Sequence, residues 1–557
     1  MNSAAEHQDP TAPVAIVGGG PVGLVLALFL DRHGVRSVVF NAEESAHEHP
    51  RGNTHNARTM EHYRRLAIAR RVRELGLPPD HPTDVAYFSR YSGFELARLR
   101  MPSEADKMLA AACAAVTDQV PEPVHRGNQK YVERFLLQHV RTLPNITVRF
   151  GCRVTAVDQD ADGVTLRVQP TNAGASATWR ARYAVGCDGG QSVVRRSLGI
   201  HYAGPGSLTQ DILGRRAISA HLRLPSLYRS FFAGRRAWSY WAINADLVTN
   251  LIALDGEAEF SLLTSSVDAD RPDYDELARM LRRAAGADIA VEVLGHRAWT
   301  PGAALVAERF GVGRVFLAGD AAHLFTPTGG FGMNTGIDDV ANLSWKLASV
   351  FQGWGSAALL DSYELERRPI AVRNTAAARE LNRNLGTITR PSELDEDSPA
   401  GVLARQRAST VLSAYGEQYA SLGVQLGARY DGSPIVVGDG NPPADSPVAY
   451  TPTSVPGGRS PHLWLSGPRS DRPSLFDRFG LGFTLLRLGD RAPHGADLRA
   501  AALARGVPLT VVDVDDPAGR ELYQRDLVLV RPDQHVGWRG NRPPADPDAL
   551  LSRLTAT

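Results

Sequence analysis

Cysteine is the scarcest signal in this chain: only Cys113, Cys152 and Cys187 occur in 557 residues, far apart and without a C-x-x-C pair. Neither a disulfide framework nor a four-thiolate zinc site is indicated, and a cytosolic location fits best. Net charge is nearly absent as well, since Lys+Arg 61 stands against Asp+Glu 60. With no global field to favour nucleic acid or anionic lipid, any ligand must be recognised locally. The apolar run after the leader is broken by Gly18, Gly19, Gly20 and Pro21, and the leader Met1 to Pro13 holds Glu6 and Asp9 but no Lys or Arg. Secretion and membrane spanning are therefore not expected. G-x-S-x-G, P-loop and H-E-x-x-H sequences are missing. "HEHP" at His47 to Pro50 lacks a third ligand at useful spacing, so it reads as a solvated loop and no metal is expected.

What is present starts with balance: 43% hydrophobic and 22% charged residues give a soluble globular composition. The length suits three or so units of ~100–200 residues each. The stretch "VAIVGGGPVGLVLALFLDRHGVRSVVFN" from Val14 to Asn41 orders a β-rich run, a glycine turn, a helix-forming run that stops at Gly34, and a second buried strand. That is the setting in which G-x-G-x-x-G means a dinucleotide fold. Gly18 permits the tight turn, Gly20 lets backbone approach a pyrophosphate, and Gly23 lets helix and strand pack closely, with the helix N-terminus presenting free N–H groups. A glycine turn in an ordinary α/β core is the competing reading of this motif alone, and the flanking pattern favours the dinucleotide. Asn41 stands where a ribose-binding carboxylate is usual; its amide can accept one bond and donate another.

Two further segments follow. "RYAVGCDGGQSVVRRSLGI" (Arg182 to Ile200) sets Asp188-Gly189 after an apolar strand, and "GRVFLAGDAAHLFTPTGGFGMNTGIDDVANLSWKLA" (Gly313 to Ala348) joins a strand, a Pro/Gly-rich loop and a long amphipathic helix. Asp320 at that strand's end suits a ribityl hydroxyl, and Gly329, Gly330 and Gly332 let backbone N–H groups close on a flavin or phosphate. In this order the three segments resemble the FAD-dependent aromatic hydroxylases, the single-component flavoprotein monooxygenases that include phenol and hydroxybenzoate hydroxylases. "PRGNTHNARTMEHYRRL" from Pro50 resembles that family's arginine loop and following helix, and "NQKYVERFLLQHV" its Gln-x-x-(Leu/Val)-Glu helix. Asn41, "THNARTME" and the C-terminal text are most similar to the chlorophenol hydroxylase branch.

The resemblance implies an α/β fold: a Rossmann-like FAD-binding domain with a β-sheet substrate-domain insert and a C-terminal thioredoxin-like domain. It implies cofactor contacts at Gly18, Gly20, Pro21, Val22, Gly23, Asn41, Arg51, Gln129, Asp188, Gly189, Gly319, Asp320, Pro327, Gly330, Gly332, Met333 and Asn334. Among these, Arg51 would lie near the pyrophosphate or flavin, and Gln129 near the ADP-ribityl part. Asp188 would sit beside the FAD and the nicotinamide path, and Asp320 on the ribityl chain. Pro327 would lie near the reacting flavin edge, and the backbone amides around Gly332, Met333 and Asn334 near the pyrimidine side. No residue is assigned a catalytic role.

Other features read more plainly. His323 could act as a base but fits better as a locally hydrogen-bonded histidine, and Asp338-Asp339 sits on a helix that the flavin reading already explains. "RRLAIARRVRELG" after Arg64 reads as an amphipathic surface helix rather than a nucleic-acid face. "AISAHLRL", "SYWAIN" and "LVTNLIALDG" read as strands and "DYDELARMLRRAAG" as a helix, a sheet-rich insert that the resemblance makes the substrate roof. Alternation over "RRAWSYWAIN" sends Trp238 and Tyr240 to one face and Trp241 to the other, each a pocket candidate or an ordinary packed strand residue. Asp431 to Ser474 is Pro/Gly-rich and linker-like. The strands "FTLLRLG", "PLTVVDVDD" and "DLVLVRPDQHVGWRG" around the helix "GADLRAAALARG" match the tail, where the lack of any cysteine after Cys187 excludes thiol redox chemistry. The expected division is 1–190 and 311–390 for the FAD-binding domain, 191–310 for the substrate sheet, 391–440 for a helical connection and 441–557 for the tail.

The resemblance also implies the reaction. FAD, reduced by transient NADH or NADPH and oxidised by O2 as co-substrate, would hydroxylate a phenolic or polyketide-type ring through a flavin C4a-hydroperoxide shielded from water. A Baeyer–Villiger-type or ring-modifying oxygenase of a polycyclic natural product, and a flavin-binding sensor or scaffold without turnover, stay open as alternatives. A small aromatic substrate and a homo-oligomer, a dimer by the family resemblance, are the expected partners, without nucleic acid or membrane.

Overall fold

The computed structural model describes residues 11–557 apart from 173, 205–216, 268–272, 300–303, 386–387, 420 and 467–471, so most of the leader lies outside the described residues. Five parallel strands carry the first domain, in the order Ile146–Phe150, Ser37–Asn41, Thr11–Val17, Ala177–Gly186 and Val315–Leu317. Their β-branched residues, Val14, Ile16, Val39, Val185 and Val315 among them, are fully buried, as a parallel sheet covered on both faces requires. The apolar run after the glycine turn is the helix Pro21–Arg32, packed between this sheet and the helices Gln129–Val140 and Phe331–Gln352. At one edge the strand ends interlock: Gly18 N donates to Phe40 O at 2.8 Å, Cys187 N to Val17 O at 2.7 Å and Ala318 N to Gly186 O at 2.9 Å. Three motifs far apart in sequence thus finish side by side at the carboxyl ends of adjacent parallel strands, where open α/β sheets bind their ligands.

A seven-stranded sheet forms the roof, in the order Glu292–Trp299, Ala217–Arg223, Glu259–Thr264, Val248–Ala253, Ser239–Ile243, Val85–Phe88 and Glu95–Leu99. The last two strands correct the expected boundary, because they come from inside the stretch 1–190. Val85–Phe88 is buried on both faces and finds its partner in Ser239–Ile243, in parallel, about 150 residues later. The helix Tyr274–Ala285, capped by Asp273 and by Gly286 at φ +70°, covers one face with Leu277 and Leu281. Leu412 of the helix Pro399–Ala414 packs against the other, among Val85, Tyr87 and Trp241.

The helix Phe331–Gln352 departs from the amphipathic expectation, since its polar residues Asp338, Asp339, Asn342 and Lys346 are buried with its apolar ones. It is sandwiched between the first domain and the tail, where Trp345 meets Phe483 at a ring-centroid distance of 6.1 Å. The tail sheet, Leu509–Val514, Phe483–Leu488, Leu527–Val530 and Val536–Gly540, is mixed and flanked by Ala496–Ala504, Pro517–Tyr523 and Pro547–Thr555, a thioredoxin-like arrangement. The segment 431–474 is not a free linker. Arg459 is buried in it and donates through Nε to Glu61 Oε2 at 3.0 Å. Val437 N donates to Gly537 O and Trp464 N to Val116 O, each at 2.9 Å. Its Pro and Gly residues prevent regular elements, and among the described residues these backbone bonds fasten it at both ends. The basic run after Arg64 is broken at Ala67 (φ +59°). Arg64 is tied to Asp477 at 2.7 Å and Arg73 to Glu122 at 2.6 Å, while Arg70 and Arg71 are exposed beside Glu74. No helix among the described residues is long and apolar enough to cross a membrane.

Tail and first domain meet at Glu366, a fully buried carboxylate that accepts from Lys346 Nζ at 2.7 Å, Asn342 Nδ2 at 2.7 Å, and Arg531 Nη1 and Nη2 at 2.6 and 2.8 Å. Burial opposes its ionisation, yet Arg531 and Lys346 hold it well below the usual carboxylate range. Its contribution to stability is therefore complete above about pH 4.3 and fades as pH falls toward the depressed value. Glu366→Gln leaves Lys346 without a carboxylate and Arg531 with Asp533 alone, at 2.6 Å, and is expected to cost about 3–5 kcal/mol. An unfolding free energy from urea titration lowered by less than about 1 kcal/mol would contradict this ion cluster's role.

Candidate active site

The interlocked strand ends form a groove with sharply different tolerances along it. Gly18 has φ +111°, and a Cβ there would stand 2.2 Å from Cys187 O; one at Gly23 would stand 2.0 Å from Gly18 O. A Cβ at Gly20 meets nothing within 4 Å: its space is open, in the place where a ligand backbone would run. Gly189, at φ +79°, is open in the same way. Pro21 starts the helix that leads away from the turn, and Val22 fills the notch left by Gly319 and Gly336. Asn41 Oδ1 accepts from Gly19 N at 3.1 Å, so the amide carbonyl braces the turn. Asp188 Oδ2 accepts from Val193 N at 2.7 Å and Val194 N at 3.3 Å, while its Oδ1 is buried without a hydrogen-bond partner. Burial raises its carboxyl above the usual range. An open Cβ position at Gly20 and an unmatched acceptor at Asp188 fit a bound dinucleotide.

Beyond the groove lies a cavity of about 610 Å³. Its floor is built by Arg51, Gly52, Asp320 and Pro327 to Gly330, and its roof by Ser219, Trp238, Trp241, Asn250, Ile252 and Leu263. Gly329 and Gly330, at φ +82° and +65°, turn the chain into Phe331–Gln352, which has no side-chain cap. The amides of Phe331, Gly332 and Met333 therefore lack partners inside the helix. The Asn334 side chain is used up: Oδ1 accepts from Asn56 N at 2.9 Å, and Nδ2 donates to Thr54 O at 3.0 Å and Gly330 O at 2.6 Å. Gln129 stays off the cavity surface. Its N donates to Gly52 O at 2.8 Å and its Nε2 to Glu133, so it braces the arginine loop. His323 Nε2 donates to Asp339 Oδ2 at 2.6 Å, fully buried, in keeping with a local hydrogen-bonding role.

The aromatic run differs from simple alternation. Trp238 lies one residue before the strand Ser239–Ile243, held through its N to Asp84 O at 2.9 Å, and it shares the cavity face with Trp241. Tyr240 points the other way: its ring stacks on Phe232 at 4.1 Å and its hydroxyl accepts from Ala237 N at 2.6 Å. It is core, not pocket. The cavity is basic, with Arg51, Arg126 and Arg297 against Asp320 as its one lining carboxylate among the described residues. Asp320 faces the cavity; the surrounding protein raises its carboxyl, with His323 and Arg51 pulling the opposite way. His49 Nε2 lies 2.9 Å from Ser219 Oγ, and burial, with Arg297 beside it, lowers its pKa to about 4, leaving it neutral. His49, Asn250, Arg297 and Tyr419 were not anticipated, since only folding brings them together. Arg126 had a faint signal, standing three residues before the Gln129 helix.

The FAD binding domain family matches residues 11–378, and the aromatic-ring hydroxylase C-terminal domain matches residues 453–557. The chain belongs to the FAD-dependent aromatic-ring hydroxylases, and it is an FAD-dependent monooxygenase. It is 31% identical to tetracenomycin B2 monooxygenase-dioxygenase of Streptomyces olivaceus over 98% of both chains. It is 30% identical to 4-methyl-5-nitrocatechol 5-monooxygenase of a Burkholderia species over 98% of this chain and 97% of that one. Among solved structures, the rebeccamycin biosynthetic enzyme RebC with reduced flavin superposes with a TM-score of 0.87 at 34% identity, over 98% of this chain and 99% of that one.

Two glycine variants separate ligand space from packing space. Gly20→Val is expected to leave the melting temperature of the cofactor-free protein unchanged and to weaken FAD retention by at least about tenfold. Gly23→Ala is expected to destabilise the protein with or without FAD. Equal FAD content in Gly20→Val and the parent, read from the flavin absorbance per chain, would remove Gly20 from the cofactor's path.

Proposed function

We propose that this monooxygenase hydroxylates a phenolic or polyketide-type aromatic ring, drawing electrons from NADH or NADPH and one oxygen atom from O2. The observation that carries the reading is the cavity in which an aromatic roof, Trp238 and Trp241, faces the glycine loop and Asp320. In this reading Gly18, Gly20, Pro21, Val22 and Gly23 receive the FAD pyrophosphate, and the Asn41 amide faces the adenosine ribose. Arg51, Asp188, Gly189, Gly319 and Asp320 line the path of the remaining chain, with Gln129 bracing it. Pro327, Gly330, Gly332, Met333 and Asn334 frame the isoalloxazine. When bound, FAD supplies the electron transfer and the activated oxygen. The protein's share is to orient the ring and exclude water. Trp238, Trp241, Ile252 and Leu263 form the apolar wall. Asn250 accepts from Ser239 Oγ at 2.8 Å through Oδ1, which leaves its Nδ2 to meet a ring oxygen. A cytoplasmic homodimer is proposed on the scarce cysteines and the family resemblance.

The test gives FAD-loaded protein NADH or NADPH, a panel of phenols and polycyclic phenols, and isotopically labelled O2. At least one compound is expected to accelerate reductant oxidation by a factor on the order of 10, with a product carrying one labelled oxygen on the ring. Oxygen inserted into a carbon–carbon bond, or no acceleration across the panel, would overturn the reading.

A further inference from the structure

Arg126 is 7% exposed and lines the cavity. Its Nη1 donates to Thr54 Oγ1 at 2.5 Å, and its Cζ lies 4.3 Å from the ring centroid of Trp238 and 5.6 Å from that of Tyr419. No carboxylate meets it among the described residues. Of the other deeply buried arginines, Arg58, Arg367, Arg459 and Arg531 each have a carboxylate partner; Arg195, which lies outside the cavity, donates to Gly190 O at 3.0 Å and covers the Tyr202 ring. An uncompensated guanidinium in such a place is costly, and two aromatic faces offset only part of that cost. Burial lowers its pKa to about 10, so it stays cationic at neutral pH. Arg51 and Arg297 add to the same positive field.

A guanidinium is a planar fork whose donors lie in its own plane, and the partner that fits two of them at once is a carboxylate. Here Thr54 takes one donor and indole covers a face, leaving further donors for a bound anion. We infer that Arg126 anchors a carboxylate carried by the aromatic substrate, so that the preferred substrates are aromatic hydroxy acids rather than neutral phenols. The inference rests on the hydroxylase reading above and names the substrate class of that same cavity.

The test measures binding without turnover, by the change in flavin absorption of the FAD-loaded protein, for 3-hydroxy-2-naphthoate and its decarboxylated counterpart 2-naphthol. Parent protein is expected to bind the hydroxy acid at least about tenfold more tightly. Arg126→Gln is expected to erase that preference while leaving 2-naphthol within about threefold of parent, and Arg126→Lys to keep part of it. A merely structural role would weaken both compounds together, and that result, or a parent without preference, overturns the inference. Naphthol affinity that rises between about pH 7 and about pH 9 in the parent but not in Arg126→Gln would assign Arg126 to an ionised phenol and overturn the carboxylate. Should Arg126→Gln fail to take up FAD, the parent's preference and its partial loss in Arg126→Lys decide. Because no product is scored, failure here is distinguishable from failure of the hydroxylation reading.

Discussion

Two adjacent buried carboxylates, Asp338 and Asp339, hold the cofactor half of the molecule in register. Asp338 receives Arg58 Nε at 3.3 Å, His62 Nε2 at 2.9 Å and Arg367 Nη1 at 2.5 Å; Asp339 receives Arg367 Nε at 2.9 Å, His323 Nε2 at 2.6 Å and Gly319 N at 3.2 Å. One dipeptide therefore ties together the helix after the arginine loop, the Gly319-Asp320 turn and the next long helix. Burial raises both carboxyls on its own account, and the surrounding cations bring both below the usual range. Arg367 is the shared member, paired with both aspartates, so its removal takes a cation from both buried carboxylates at once.

From this lattice the two walls of the cavity acquire different characters. The floor is largely backbone, glycine turns and helix amides with Arg51 and Asp320 among them, held by Asn334 and Gln129, whose side chains are spent on bracing. The roof is side chain, presented from the strands of the seven-stranded sheet. In the proposed reading cofactor geometry rests on the floor and substrate choice on the roof.

Much of this was legible in the sequence where chemistry restricts residue type. Gly18, Gly23 and Asp188 sit at positions where a side chain would collide or an acceptor is required, so the order of strand, turn and helix around them could be read directly. The thioredoxin-like tail was legible too, from its strand pattern. What could not be read depended on partners distant in sequence. Val85–Phe88 looks like any short apolar strand until Ser239–Ile243 lies beside it. Asp338, Asp339 and Lys346 make Phe331–Gln352 look half solvated, because periodicity counts polar residues and does not see the counterions that bury them. Trp238 misled through a strand boundary one residue off. Arg126 was silent because its meaning lies in having no carboxylate beside it among the described residues.

The tail's contact with the first domain has a consequence for how the chain matures. Arg58 Nη2 donates to Asp533 O at 2.8 Å and Nη1 to Gln534 Oε1 at 2.7 Å, across separations of 475 and 476 residues. During synthesis the helix behind the arginine loop is made early, yet its buried guanidinium waits for almost the last element to emerge before it is sealed. Until then Glu61 and Asp338 are its only carboxylate partners among the described residues, and the tail's two acceptors are missing. Because domains fold as they emerge, the tail's arrival completes the enclosure of a guanidinium made almost at the start of synthesis.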